Sequence, residues 1–327
     1  MAARQRRITS IDVAREAGVS QTTVSYVLNN VPHQKISEAT RRRIFAAVDK
    51  LNYAPSAAAR TLRRGRSDLV LVVLADVPLG TALAQIVEHL TDELERHGLT
   101  AITRRERRLP VTALAGELEP VAIVSFTPIS AEDQASLRAA GIRVVSARLD
   151  GSGENILTVP QNEIGRLQAG HLAATGRRRI GYAAPDDPRV REFYDLRLGG
   201  VRQACAELGL EPPDVREVPL DAATAAEVAV TWHAAGVDGV CAYNDEIAFA
   251  LLAGMRTAGL TAPGDLAVIG VDDIPLAPFA VPPLTTVNQH TQTLAGHLTE
   301  MILRADGAGS PQSPRTETAS LVIRESA

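Results

Sequence analysis

The sequence predicts an α/β protein: a small all-helical headpiece followed by a two-lobed core of doubly wound parallel sheets. Three observations carry this. Residues 8–29 read as two short helices bent around one glycine, short β-rich runs alternate with helical stretches from Asp68 onward, and several of those stretches end on glycine. With 327 residues and 45% hydrophobic content, the chain is long enough to bury two or three separate cores.

The first helix has a start signal in Thr9 and Asp12, three residues apart, each able to reach the other's unpaired backbone N–H. Val13, Ala14 and Ala17 follow as its apolar stripe. Gly18 stands where the chain must turn at positive φ, and Ser20 is placed to cap the second helix. That helix keeps Val24, Val27 and Leu28 inward and turns Gln21, Thr22, Ser25 and Tyr26 outward. Gln21 and Thr22 occupy the first turn, the part of a recognition helix that meets base edges in the major groove; glutamine pairs with adenine and threonine meets a thymine methyl. The alternative is a helical hairpin with a polar face, but caps, turn glycine and stripe agree within one window, which favours a DNA-reading helix-turn-helix. A third helix, from Ser37 to about Asn52, carries Ile44, Val48 and Leu51 inward and the run Arg41-Arg42-Arg43 outward, a phosphate contact in this setting.

Charge is partitioned in the same way. Residues 1–66 hold 13 Arg or Lys against 4 acids, a balance of +9, which leaves −13 on the rest of a chain whose net charge is −4. A polyanion is attracted by the headpiece and repelled by the body, so DNA affinity should be confined to the headpiece and fall steeply with salt.

In the core, strands are expected at 69–75, 121–126, 142–147, 156–159, 179–184, 239–242 and 267–271. Helices are expected at 81–97, 131–140, 163–175, 196–208, 222–235 and 246–258, with stops at Gly98, Gly141, Gly176, Gly209, Gly236 and Gly259. In such sheets a ligand binds beyond the carboxyl ends of the strands. The polar residues there are Asp76, Ser125, Arg148, Asp186, Asn244, Asp245, Asp272 and Asp273, and a helix-capping role accounts for one of the Asn244-Asp245 pair.

No apolar run spans a bilayer and no secretory signal precedes the headpiece, which points to a soluble cytoplasmic protein. Cys205 and Cys241 read as buried thiols. No CxxC, His/Cys cluster, phosphate-binding loop or nucleophile motif is present, so no metal, cofactor or enzymatic activity is expected.

The run Asp12-Val-Ala-Arg-Glu-Ala-Gly-Val-Ser20, Thr23-Val-Ser25, Leu28-Asn29 and the stretch from Leu51 to Leu62 are followed in order by Gly176-Arg-Arg-Arg-Ile-Gly181, Asn244-Asp245, Ile269-Gly-Val-Asp-Asp273 and Pro283-Leu-Thr-Thr-Val287. Over essentially its full length the chain thereby resembles the lactose repressor (LacI) family of bacterial transcription regulators. The resemblance implies a helix-turn-helix domain at 1–55, a hinge helix or linker at 56–66 and an effector-binding, dimerising core at 67–327. The core lobes fall at about 67–160 plus 289–315 and 161–288 plus 316–327. It implies a homodimer, or a tetramer built from it, that reads a near-palindromic double-stranded operator through Thr9, Ser20, Gln21, Thr22, Ser25, Tyr26 and Asn29. Residues 56–63 match the family's hinge, which places Ala59 on DNA and makes Leu62 a wedge in the minor groove. Such a short Ala-rich helix is marginal alone, and an apolar wedge exchanges unstacking for bent, better-contacted DNA. The alternative there is a plain linker.

The core would share the two-lobed fold of periplasmic sugar-binding proteins. Arg197, Asn244 and Asp272 match effector contacts of the family, with Ser125 and Arg148 at strand ends beside them. A bidentate arginine with a carboxylate suits a polyhydroxylated ligand; the alternative is an ion pair between Arg197 and Asp272 across the lobes. Four departures are visible. Tyr26 replaces an operator-reading Arg or His. Arg148 replaces an Asp, which points to an anionic ligand. Glu119-Pro120 replaces Asp-Gly after a short helical segment, and aromatics at 3% leave few rings to stack on a sugar. The function implied is a repressor whose sugar or related metabolite changes the angle between lobes and disorders the hinge, acting in the cytoplasm and on the nucleoid. The competing function is a regulator of the same fold governed by a protein partner, with a vestigial cleft.

Overall fold

In the computed structural model, residues 8–28, 36–53, 67–106, 110–149, 155–304 and 319–327 are described. Asn29, Ala59, Leu62 and the whole of 56–66 lie outside them. The chain divides into two compact units, Met1–Ser67 and Asp68–Ala327.

The first unit contains α1 (Ser10–Ala17), α2 (Gln21–Leu28) and α3 (Glu38–Lys50). Asp12 accepts the Thr9 backbone N–H at 2.9 Å and its hydroxyl at 2.7 Å, which anchors the start of α1. Gly18 adopts φ 65° and ψ 41°, a conformation that would bring a Cβ against the backbone. Ser20 and Ser37 then cap α2 and α3 by accepting the N–H of Thr23 at 3.1 Å and of Thr40 at 3.2 Å. Val13, Val24, Val27 and Ile44 form the core, with Val48 and Leu51 packed on it.

The second unit holds two parallel sheets. In the first, β1 (Leu69–Leu74), β2 (Thr100–Arg105), β3 (Ala122–Ser125), β4 (Arg143–Arg148) and β5 (Ile156–Thr158) lie in the order β2-β1-β3-β4-β5. Their helices are α4 (Thr81–Arg96), α5 (Val111–Leu118) and α6 (Ala131–Ala139). The β1 run Leu-Val-Leu-Val-Val-Leu is apolar on both faces because both are covered. Val70, Val72 and Leu74 pack with Leu90 and Leu94 of α4, while Leu71 and Val73 pack with Ala115 of α5 and Leu137 of α6.

The second sheet alternates α7 (Gln161–Ala174), β6 (Ile180–Ala184), α8 (Arg191–Glu207), β7 (Asp214–Glu217), α9 (Ala222–Ala234), β8 (Gly239–Ala242), α10 (Asp245–Thr257) and β9 (Ala267–Ile269), with strand order β7-β6-β8-β9. After β10 (Thr286–Asn288) the chain returns to the first lobe as α11 (Thr291–Leu303), whose Leu294, Leu298 and Ile302 join the core of β1. It then comes back as β11 (Ser320–Val322), antiparallel to β10. Both cysteines are buried in this second lobe.

Several boundaries differ from the sequence reading. β2 and β7 were not anticipated: each is an edge strand, half-exposed and without an apolar run. Neither were α11, β10 and β11. Helix α8 starts at Arg191 rather than Leu196, led by a short 3-10 turn at Pro188–Val190, and α7 and α10 start at Gln161 and Asp245. The expected stops hold, since all six glycines take φ between 67° and 93°. The short helix expected before Glu119 is the eight-residue α5, and Glu119 itself closes it at φ 46°.

Two other glycines set the position of α8. A Cβ on Gly165 would lie 2.0 Å from the Arg197 carbonyl oxygen, and one on Gly200 would lie 1.9 Å from that of Asn162. The backbones of α7 and α8 therefore touch, which fixes the backbone from which the Arg197 side chain projects. Gly200→Ala should destabilise the chain by about 1–3 kcal/mol through overpacking. Gly199→Ala, with nothing within 4 Å, should be neutral or stabilise by roughly 0.5–1 kcal/mol through helix propensity. Urea melts of both variants check the contrast, and equal effects would rule the contact out.

Candidate functional site

In the headpiece Thr9, Ser20, Gln21 and Thr22 are exposed and Ser25 and Tyr26 half-buried, and Arg42 and Arg43 are exposed on α3. Gln21 Nε2 donates to Ser10 Oγ at 3.0 Å, tying α2 to α1. That bond uses one of the two amide hydrogens, so Oε1 and the second Nε2–H remain for bidentate pairing with adenine. Ser10 drew no attention in the sequence because nothing local relates it to a residue eleven positions away.

In the core, the carboxyl ends of β6, β8 and β9 gather the charges. Arg197 projects from α8 and is only 4% exposed. Its Nε donates to Gln161 Oε1 at 2.8 Å and its Nη1 to the Tyr243 carbonyl at 2.6 Å, with the guanidinium 4.7 Å over the Tyr243 ring. Tyr182 and Tyr194 meet nearby with ring centroids 5.9 Å apart. The expected scarcity of rings is thus offset locally by three tyrosines, although that of Tyr243 is already covered by Arg197.

Asp272 follows β9 at φ 110° and accepts a hydrogen bond from Gln289 Nε2. Burial pushes its carboxyl up to about 6, against the opposing pull of Arg197 and Gln289. Arg197 and Asp272 both belong to the second lobe and no ion pair joins them, so the alternative of an interlobe salt bridge is corrected: the two attract at longer range.

Asn244 is the cap of the Asn244-Asp245 pair. Its Oδ1 accepts the Ile247 N–H at 3.0 Å and its Nδ2 donates to Glu246. Asp245 is fully buried instead, accepting from Ile274 N–H at 2.9 Å and Thr286 Oγ1 at 2.6 Å. A Cβ at position 270 would lie 2.1 Å from its Oδ1, so glycine there leaves room for the carboxylate. Burial raises Asp245 to about 7, opposed by those two hydrogen bonds. Asp273 pairs with Arg324 at 2.7 Å and accepts from Asn288 at 3.1 Å.

The first lobe contributes less. Ser125 ends β3 fully buried, its hydroxyl donating to the Thr127 carbonyl at 2.8 Å. Arg148 ends β4 half-buried, and Asp76 and Asp186 are exposed. Thr81, the first residue of α4, donates to Glu246 of the other lobe at 3.5 Å. The structure thus brings Arg197, Asn244 and Asp272 together and adds Gln161, Tyr243, Glu246 and Gln289. Tyr243 and Glu246 flank a pair already singled out, and that adjacency was their one signal.

Buried donors and acceptors of both signs suit recognition of a polar small molecule. Among the described residues no group of three or more His, Cys, Asp or Glu side chains could hold a metal ion. No described helix is long and apolar enough to cross a membrane.

Residues 10–56 match the bacterial regulatory proteins of the lacI family, and residues 169–327 match the periplasmic binding protein-like domain. The HTH-type transcriptional repressor PurR of Photobacterium profundum is 30% identical over 310 residues, covering 89% of this chain and 90% of its own length. The chain belongs to the LacI family of bacterial regulatory proteins. Within the LacI family, the HTH-type transcriptional regulator GalR of Escherichia coli is 29% identical over 96% of this chain and 94% of its own. The lac repressor dimer solved with operator and the anti-inducer ONPF superposes with a TM-score of 0.78 at 25% identity, covering 98% of this chain and 99% of that one. As a LacI-family member the chain is a DNA-binding transcription regulator with a helix-turn-helix headpiece and a periplasmic-binding-protein-like core.

Asp245 gives that core a pH signature. Between its ordinary value of 3.8 and its folded value of about 7, the folded chain keeps a proton that the unfolded chain has lost. This group therefore makes stability fall as pH rises through that window and adds no slope above it. Asp245→Asn removes the slope, so its melting temperature should gain on the parent's from about pH 4 to pH 7 and run parallel beyond. Melting curves across that range check it; a difference independent of pH would contradict it.

Proposed function

We propose that this protein is a repressor that binds a near-palindromic operator as a homodimer and changes its affinity for that operator when a small polar metabolite enters the core. The observation that carries the reading is one chain with an exposed polar recognition helix, exposed arginines on the third helix of the same headpiece, and a buried site of opposed charges. The solved relative is a dimer on operator with an anti-inducer, which supports the same division of labour here. Leu276, Phe279 and Val281 leave a second-lobe loop 63%, 78% and 79% exposed, and apolar groups crowded on one loop suit a second copy of the chain.

Thr9, Ser20, Gln21, Thr22, Ser25, Tyr26 and Asn29 are the operator-facing set, joined by Ala59 and Leu62 from the hinge. Arg197, Asn244 and Asp272 hold the effector from the second lobe, Ser125 and Arg148 from the first. A guanidinium and a carboxylate that both keep unused hydrogen-bonding atoms suit hydroxyl groups, so the effector is a sugar or related metabolite, with Arg148 favouring an anionic one. The protein works in the cytoplasm, on the nucleoid when operator-bound.

Selection from a random DNA pool with the full chain tests this. The enriched sites should contain two half-sites related by a dyad, with affinity falling by roughly 10³-fold from 50 to 200 mM salt. Tyr26→Ala should change the half-site sequence but leave the spacing. A pool without dyad symmetry, together with a sedimentation mass of one chain, would overturn the proposal.

A further inference from the structure

Of the three passages between the lobes, two lie within the described residues: from the first to the second between β5 and α7, and back between β10 and α11. Each of these crossings ends on, or contains, a glutamine. Gln161 opens α7 and is only 1% exposed. Gln289 lies between β10 and α11, followed by His290 at φ 46°.

Each glutamine holds one charge of the site. Gln161 accepts from Arg197 Nε, and Gln289 donates to Asp272 Oδ1. The second crossing is doubly tied, because Asn288 donates to Asp273 while accepting the His290 N–H at 2.8 Å. Hydrogen bonds to buried ions are strong, and removing one partner leaves the other with an uncompensated desolvation penalty. Among the bonds of the described residues, Arg197 Nη2 and Asp272 Oδ2 take no partner. The crossings therefore occupy Nε of one charge and Oδ1 of the other, the Tyr243 carbonyl takes Nη1, and Nη2 and Oδ2 are left for a ligand.

Lobes built on close-packed sheets do not bend; rotation between them is absorbed by backbone torsions in the crossings. We propose that Gln161 and Gln289 are the positioning residues that convert occupancy of the site into a change of lobe angle. A ligand that draws Arg197 and Asp272 onto itself pulls both crossings with them through these two bonds. This rests on the reading of Arg197 and Asp272 as effector contacts, yet its geometric core, that the two bonds set the lobe angle, holds with or without a ligand.

The test uses the full chain without effector or DNA. Nitroxide labels at exposed Glu95→Cys in the first lobe and exposed Glu211→Cys in the second, diluted with unlabelled protein, report the interlobe distance by pulsed electron resonance. Gln161→Leu and Gln289→Leu should each shift or broaden the distribution by about 2 Å or more, and Gln161→Glu, which keeps the acceptor, should restore the parental one. Parental distributions in both leucine variants, even with lowered melting temperatures, would overturn the proposal and reduce the glutamines to local stabilisers. If a leucine variant fails to fold, Gln161→Asn and Gln289→Asn keep the amide but shorten its reach, and the same two outcomes decide. Because no ligand or operator takes part, failure of this proposal leaves the effector reading standing, and failure of that reading leaves this result intact.

Discussion

Burying charge is the constraint around which the second lobe is built. Arg197, Asp245 and Asp272 are all removed from water, and each would be strongly destabilising without partners. Those partners come from different elements: Gln161 from α7, the Tyr243 carbonyl from the end of β8, Thr286 from β10 and Gln289 from a crossing. Convergence of these segments is what the charges require, and Gly165, Gly200 and Gly270 are where side chains are given up to allow it.

The compensation is incomplete, and its incompleteness is informative. Both aspartates sit above their ordinary carboxyl range, so burial outweighs their hydrogen bonds. Asp272 is additionally held at φ 110°, a strain of about 1–3 kcal/mol that persists only where surroundings over-determine it. Its backbone N–H is tied to the Val287 carbonyl at 2.8 Å, and its neighbour Asp273 to Arg324. Buried, strained and partly satisfied charges cluster at functional sites, which supports the effector reading proposed for Arg197 and Asp272. The headpiece shows the opposite economy: a small apolar core, an exposed polar recognition helix and exposed arginines on the third helix.

Legibility followed locality. Thr9 with Asp12, Gly18 and Ser20 are cap and turn signals acting over three or four residues, and each does what its spacing implied; Ser37, read as the first residue of the third helix, is its cap. The β1 run was readable because both its faces are buried. Edge strands β2 and β7 were not, since half-exposed strands carry no apolar run. Within the core site, Asp272 was marked by its place at a strand's carboxyl end, whereas Arg197 was visible only through resemblance. Gln161 lies 36 positions from Arg197 and Gln289 lies 17 from Asp272, separations over which no periodicity or cap pattern carries information.

The central claim is that the buried pair Arg197 and Asp272 senses a small polar molecule. Thermal-shift titration of the full chain and of Arg197→Ala against sugars, sugar acids, sugar phosphates and purines tests it most directly. The account predicts a compound that raises the melting temperature of the parent and leaves Arg197→Ala at its unliganded value. A compound that stabilises both proteins equally, or a parent unmoved by the whole panel, would contradict it.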